Sequence, residues 1–441
     1  MKLLYHLLLT PLTAAFASGD DTIQNFPHLV NWFTSNGGKI DTRITLGYEP
    51  SNIRGMIATE RIEAGTVLTY TPGSLIISPP NGKHGCGLID RVIDELELGT
   101  ESQWDMYFKF DGSTAVTNDS DQQKVEHTRI PSHWNKEGEI GSRAILELQG
   151  LPPTGETHRH IDWYTRACND GEDVTDTQLQ AFMMFLTRSS DRGLVPLYDL
   201  FNHHNGLINT RLEVDEEGGM SVIASTTIEA NEPIYNTYAR AGGESTVDIF
   251  NQYGFVEDYP QLWRWADVDL TRLTEEDPNH SFDRYVNPSE GEMGDGIDTN
   301  GLGFEPNSHH YEVLVLSPTL AALHPTTTLV NVLGNRRRTK DEWESEIESH
   351  HASLRQSHAN AIHDSAVQIL SELPTTMEED EKIILPNERR LFEKVKKKGR
   401  LDKSKADTIQ AIEYRIAFKK ALELAVAAAE SGKFYADLDE L

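Results

Sequence analysis

The 441-residue sequence is short of cysteine, of positive charge and of long apolar runs. Its two cysteines, Cys86 and Cys168, are too few for a structural zinc site or a disulfide framework. At most they form one bridge, and spacing leaves open whether they meet. Lys and Arg number 40 against 70 Asp and Glu, a formal net charge of −30. Such a field repels phosphate, which argues against nucleic acid as a partner and against a membrane-surface role. Past the first residues, no stretch reaches the roughly eighteen apolar residues a membrane span needs, so no membrane insertion is expected. No repeat of fixed period and no Gly-x-Ser-x-Gly elbow occurs. What is present is an ordinary globular composition, 38% hydrophobic and 25% charged. At roughly 150 residues per domain, the length predicts two or three domains.

Both termini carry address-like features. Lys2 precedes an apolar run, Leu3 to Ala17, and Ala15-Phe16-Ala17 offers a small-x-small cleavage pattern, so residues 1–17 read as a signal peptide. The last residues, Leu438-Asp439-Glu440-Leu441, match three positions of a Lys-Asp-Glu-Leu retention tail. Asn118 and Asn279 head glycosylation sequons that agree with the same route. Together they predict the lumen of the endoplasmic reticulum, with plastid or cytoplasm as alternatives.

Periodicity then divides the chain. Thr66 to Tyr70 alternates as a strand, Pro72-Gly73 turns it, and Leu75-Ile76-Ile77 resumes it. Leu88, Ile89, Val92, Ile93 and Leu96 have helical spacing, and Asp176 is placed to cap a helix through Phe182 and Leu186. Strands are expected at Ser221–Ser225 and Pro233–Tyr238. Residues 262–310 turn acidic and Gly-rich, as a connector does. Beyond them Thr376 and Glu379 form a capping box, Pro386 precedes a further helix, and Ile409, Ile412, Ile416, Leu422 and Val426 trace the stripe of a long one.

Four segments concentrate Gly, Asn, His and Tyr beside strand-like sequence: Arg54-Gly55-Met56-Ile57-Ala58, Tyr198-Asp199-Leu200-Phe201-Asn202-His203, Ile234-Tyr235-Asn236-Thr237-Tyr238 and Tyr253-Gly254-Phe255. Singly each reads as a turn or as core. By contrast, the histidines at 350, 351, 358 and 363 lie in a charged helical stretch without a catalytic carboxylate pattern, and no metal is expected.

In that order and spacing the four segments resemble the SET-domain protein methyltransferases, in the branch of the Rubisco large-subunit lysine methyltransferases and actin-histidine methyltransferases. Leu373-Pro374-Thr375-Thr376 and Ala411-Ile412-Glu413-Tyr414-Arg415 extend the resemblance into the last third. It implies an α+β fold: a β-rich SET domain over residues 20–260 with a helical insertion at about 85–185, a connector over 261–310 and an all-helical substrate-binding domain over 311–441. It implies S-adenosylmethionine as cofactor, held by Arg54, Gly55, Met56, Arg188, Asp199, Asn202, His203 and Phe255. Tyr238 matches the family's catalytic tyrosine, and Ser190 and Tyr198 line the acceptor pocket. A protein lysine is the expected substrate and a monomer the expected state. The bulky Tyr198 is similar to the histidine-methylating branch. Where the family has Gly-Glu and Tyr-Gly, this chain has Asn231-Glu232 and Tyr238-Ala239. A catalytically silent, peptide-binding relative is therefore the alternative.

Overall fold

The computed structural model describes residues 19–49, 54–80, 85–115, 131, 144–151, 159–238, 245–266, 310–317, 320–324, 356–384, 403–431 and 435–437. The signal peptide, both sequons, Ala239, the helix expected after Pro386 and the last four residues lie outside them. Among the described residues, no helix is long and apolar enough to cross a membrane.

The chain opens with the helix Gly19–Ser35, whose Phe26, Leu29 and Phe33 recur at three- and four-residue spacing and are buried. Ten short strands follow up to residue 236: β1 (Lys39–Ile40), β2 (Ile44–Tyr48), β3 (Arg54–Ala58), β4 (Val67–Thr71), β5 (Ser189–Ser190), β6 (Gly193–Leu194), β7 (Asn202–His203), β8 (Thr210–Val214), β9 (Met220–Ala224) and β10 (Tyr235–Asn236). They form small sheets rather than one. β1-β4-β9-β8 is a four-stranded sheet, β2 and β3 form a hairpin with Gly47 opposite Gly55, and β7 pairs in parallel with β10. Leu46, Met56, Leu68 and Val222 from these strands, and Ile234 just before β10, share one core with the first helix.

The helical insertion is present as the helices Cys86–Leu98, Asp105–Ala115 and Arg159–Cys168, and Asp176–Arg188 closes it. The cap of the last is Thr175, one residue before the expected Asp176. Thr175 Oγ1 accepts from the Gln178 N–H at 3.3 Å, and Gln178 Oε1 accepts from the Thr175 N–H at 2.9 Å. Leu88, Ile89 and Val92 bury one face of the helix Cys86–Leu98.

Cys86 and Cys168 are joined, which closes the question their spacing left open. The bond ties the start of one insertion helix to the end of another across 82 positions of sequence. Constraining a loop of that length removes about 4–5 kcal/mol of unfolded-state chain entropy. Reduction, or Cys86→Ser with Cys168→Ser, should therefore lower the melting temperature clearly; an unchanged melt would contradict a stabilising role.

The C-terminal third is helix-rich, but it also holds an antiparallel sheet that periodicity did not reveal. Its strands are β11 (Gln261–Ala266), β12 (His310–Ser317), β13 (Leu320–His324) and β14 (Tyr435–Asp437), in that order. The six residues of β11 carry two tryptophans at period two, but they abut an acidic, Gly-rich stretch whose composition dominates any window that includes it. The expected capping box does form: Glu379 accepts from the Thr376 N–H at 2.8 Å, ahead of the helical residues 377–384.

A second core lies between the long helix Lys403–Ser431 and the helix Thr246–Tyr253. Phe250 stacks on Tyr414 with ring centroids 4.0 Å apart, and Trp263 and Phe418 pack beside them. Behind it, Asp380 lies fully buried with Arg415 and Lys419. Arg415 donates to both Asp380 oxygens, at 2.9 and 2.6 Å, Lys419 donates at 2.6 Å, and Thr375 Oγ1 at 2.7 Å. Arg415 also donates to the Glu147 carbonyl, so one buried network joins the tail of the insertion to the C-terminal helices.

Candidate active site

The parallel β7–β10 pair builds the site. Its register sets Tyr235 against Asn202 and Asn236 against His203, so the Asn-His pair lies beside the segment that ends in Tyr238. From there, hydrogen bonds fasten the remaining pieces. Asn202 Nδ2 donates to the Arg54 carbonyl at 2.8 Å and to Glu49 Oε1 at 2.5 Å. The Tyr235 hydroxyl donates to Glu49 Oε2 at 2.8 Å. On the other side, the Tyr238 N–H donates to His203 Nδ1 at 3.1 Å. The Tyr238 ring lies between His203, with centroids 5.4 Å apart, and Tyr253, at 4.5 Å.

Tyr253 owes its position to a helix end. Ser245 and Asp248 cap the start of the helix Thr246–Tyr253, and Gly254 stops it at φ 75°, a left-handed conformation that glycine adopts without strain. Phe255, just beyond, is half-buried.

Gly55 is small for a local reason. A Cβ at that position would run into Asn202 Nδ2 and Glu49 Oε1. Gly55→Ala should therefore cost about 1–3 kcal/mol as the neighbours are forced apart. Chemical denaturation checks this, and a variant as stable as the parent would show that the hairpin yields freely.

The ionisable groups are arranged by burial. Glu49 is 6% exposed, and burial pushes its carboxyl up to about 7 against the opposing hydrogen bonds from Asn202 and Tyr235. Burial likewise raises Glu257 to about 8, although Asn205 Nδ2 donates to it at 2.7 Å and Thr246 Oγ1 at 3.1 Å. Burial lowers His203 to about 3, so its imidazole is neutral at physiological pH. Because Nδ1 accepts from Tyr238, the ring proton belongs on Nε2, which faces Glu257 Oε2 at 3.5 Å. Burial also raises Tyr238, with the nearby Arg188 opposing and Glu49, Asp199 and Tyr198 adding to the shift. Tyr238 is thus a neutral phenol.

These groups make stability pH-dependent. The folded pKa values of Glu49 and Glu257 lie above their unfolded values, so the stability they contribute is full below the unfolded pKa and is lost as pH rises through about 7 and 8. His203 acts only below its unfolded value, so the window from pH 6.5 to 8 reports the two carboxyls. Denaturation midpoints should fall across that window, and less steeply in Glu257→Gln. A flat profile would mean that both carboxyls ionise normally.

The other expected residues fall as follows. Asp199 accepts from the Tyr107 hydroxyl at 2.8 Å and from Arg188 at 3.2 Å, which fixes the guanidinium beside Tyr238. Tyr198 is half-buried, and burial raises its phenol above the ordinary value. Its neighbour Leu197 holds φ 68°, a costly conformation for a branched residue, at the bend that aims Tyr198 and Asp199. Ser190 closes its own turn: its hydroxyl donates to the Gly193 carbonyl and accepts from the Arg192 N–H. Met56 is fully buried in the core, and its carbonyl accepts from Ile234. Asn231 adopts φ 67°, so asparagine sustains the left-handed turn where glycine stands in the family.

Sequence reasoning did not find Glu49, Glu257 or Tyr235. Tyr235 and Tyr253 did lie within the segments singled out, Ile234–Tyr238 and Tyr253-Gly254-Phe255, but neither was given a role; Glu49 and Glu257 carried no signal. The arrangement offers a buried carboxyl that ionises near 7 and an amide on one side, an arginine nearby and a neutral phenol among aromatic rings. Such a set can bind a zwitterion with a positive centre and present a second group to it across Tyr238.

Known proteins fit this geometry. Residues 53–239 match the family model described as SET domain. An uncharacterized protein of Schizosaccharomyces pombe is 21% identical over 294 residues, a match spanning 58% of this chain and 60% of the relative's length. Among solved structures, the SET domain of LSMT bound to lysine and AdoHcy superposes with a TM-score of 0.51 at 17% identity, covering 96% of this chain and 94% of that one. Rubisco LSMT bound to sinefungin and monomethyllysine gives 0.51 at 18% identity, covering 95% and 93%. The SET fold is therefore shared over nearly the whole chain, and residues 53–239 match the SET domain.

Proposed function

We propose that this chain is an S-adenosylmethionine-dependent protein N-methyltransferase whose acceptor is a lysine side chain. The observation that carries the reading is the joining of four distant segments around Tyr238, through Asn202 to Arg54, Tyr238 to His203, and the Tyr238 ring against Tyr253. The SET-domain match and the ligands of the LSMT structures support it.

The residues fit the cofactor. Arg188 would hold its carboxylate, Asn202 and the backbone at Arg54 and Gly55 its amino-acid end, and Phe255 its adenine. The His203 imidazole is engaged with Tyr238 and Glu257, so His203 would serve through its backbone, as would the core-bound Met56. When bound, S-adenosylmethionine supplies a sulfonium methyl group for in-line displacement by a neutral amine. The chain's part is to place that amine, exclude water and strip its proton's advantage. A lysine of ordinary pKa about 10.4 must lose its charge to react, and an enclosure of aromatic rings disfavours the ammonium form. Tyr238 stays protonated and directs its hydroxyl dipole at the transfer point. Histidine is the second reading, favoured by Tyr198, whose half-buried ring narrows the acceptor side.

Incubation with methyl-labelled S-adenosylmethionine and a lumenal protein extract, followed by peptide mass spectrometry, tests this. Methyl groups on lysine are expected. Methylation confined to histidine would select the second reading, and donor binding without incorporation would favour a silent peptide-binding protein. We further propose residence in the endoplasmic reticulum lumen; the Cys86–Cys168 bond supports an oxidising compartment. Recovery of uncleaved protein from cytosol would contradict it.

A further inference from the structure

Glu49, like Glu257, is a buried carboxylate at the site that no sequence feature announces. It directly follows β2, at the loop end of the β2–β3 hairpin, and ties three elements together. Oε1 accepts from Asn202 on β7 and Oε2 accepts from Tyr235 on β10, while Asn202 in turn donates to the Arg54 carbonyl of β3. The space is closed: a Cβ on Gly55 would meet both Glu49 and Asn202. Among the described residues, Glu49 has no ion-pair partner. A buried acceptor pair with two neutral donors and no cation is costly when charged, unless a positive ligand arrives beside it.

We infer that Glu49 is a positioning residue of the donor site that holds the Asn202 amide and, by its charge, favours a cationic sulfonium donor over the neutral thioether product. The inference rests on the proposed methyl transfer. In that step the acceptor nitrogen's lone pair forms the new N–C bond, and the S–C bond breaks with its electrons returning to sulfur. The positive charge leaves the donor and passes to the acceptor nitrogen, which later releases a proton. Donor and product share the same adenosine and amino-acid ends and differ by that methyl group and one charge. A fixed anion in the donor site therefore separates them where shape does not.

The amide geometry serves the positioning of the amino-acid end that donor and product share. With both Nδ2 interactions directed to Glu49 and the Arg54 carbonyl, Asn202 presents its Oδ1 as the remaining acceptor, the polarity that suits a ligand ammonium.

The charge on Glu49 changes within the physiological range, because burial sets its carboxyl near 7. The groups facing it are Tyr235 from β10, Asp258 from the segment after the helix Thr246–Tyr253, and Tyr238, with the Arg188–Asp199 pair beyond. His203, lowered to about 3, does not titrate in this range. Glu257, raised to about 8, does, and it faces Asn205, Thr246 and His203 rather than the Glu49 cluster.

Isothermal titration of the full chain with S-adenosylmethionine and with S-adenosylhomocysteine, at pH 6 and pH 8, tests the inference. Glu49 passes from roughly a tenth ionised to roughly nine-tenths between those values, so the donor-to-product affinity ratio should rise about five- to tenfold. The product carries the same amino-acid end and so controls for titration of the ligand's own ammonium. In Glu49→Gln the ratio should stay within about twofold across the same range, with donor affinity at pH 8 down about tenfold and product affinity changed far less. A melting curve of Glu49→Gln confirms that it folds, and the wild-type comparison stands if it does not. A wild-type ratio that is constant with pH, or a variant that loses both ligands equally, would overturn the inference while leaving methyl transfer intact. Binding of neither ligand would overturn the functional reading and this inference with it.

Discussion

Tyr238→Phe should lower methyl transfer by about two to three orders of magnitude while donor affinity changes less than about threefold. The ring is held independently of its hydroxyl: its backbone N–H is bonded to His203 Nδ1 and its face packs against His203 and Tyr253. Phenylalanine keeps those contacts and deletes only the hydroxyl dipole that the proposed function assigns to the transfer point. The hydroxyl is a neutral donor because burial raises it well above ordinary phenol values, with the Arg188 charge too weak to reverse that. A loss confined to kcat, with unchanged donor titration and melting temperature, is the expected pattern. An equal loss of donor binding would move Tyr238 from the transfer point to the cofactor pocket, and full activity would remove it from the chemistry.

The largest effect on stability is expected far from that ring. Asp380→Ala should cost about 3–5 kcal/mol, because it leaves Lys419 a buried cation without its counter-ion and Arg415 with Glu147 alone, 3.3 Å away. Asp380 counters both, and its side chain and theirs are at most 1% exposed. Burial alone would raise its pKa, but hydrogen bonds from Arg415, Lys419 and Thr375 bring it below the ordinary carboxylate value. A carboxylate with a lowered folded pKa contributes stability above its unfolded pKa and loses it as pH falls through the folded one, so the network should fail below about pH 4. The same substitution should reach the active site. Arg415 neighbours Tyr414, Tyr414 stacks on Phe250, and Phe250 lies on the helix whose last residue is Tyr253. Urea denaturation of Asp380→Ala reads the stability. A cost under about 1 kcal/mol would show that the cluster is open to water.

How far the sequence carried these conclusions depended on locality. The Asn202-His203 pair and Tyr253-Gly254-Phe255 were legible because their chemistry is concentrated within a few residues. The Thr376–Glu379 cap was legible because both partners lie three residues apart and form the bonds their spacing requires. Asn231 looked like a departure until its φ of 67° showed asparagine doing what glycine does. Glu49 was not legible, because its partners Asn202 and Tyr235 are 153 and 186 positions away. Glu257 and the Cys86–Cys168 pairing were hidden for the same reason, since only the folded chain brings their partners within reach. The C-terminal sheet escaped because β12 and β13 pair with each other and with the distant β11 and β14, a register that no local window contains.

The most direct test of the account is a thermal-shift and calorimetric titration of the folded, disulfide-intact protein with S-adenosylmethionine. Saturable one-to-one binding is predicted, with a melting temperature that climbs with ligand and a stabilisation of about 2.7 kcal/mol at a hundred times the dissociation constant. No heat and no shift at millimolar ligand would contradict it, because the meeting of Arg54, Asn202 and Tyr238 would then enclose no donor site.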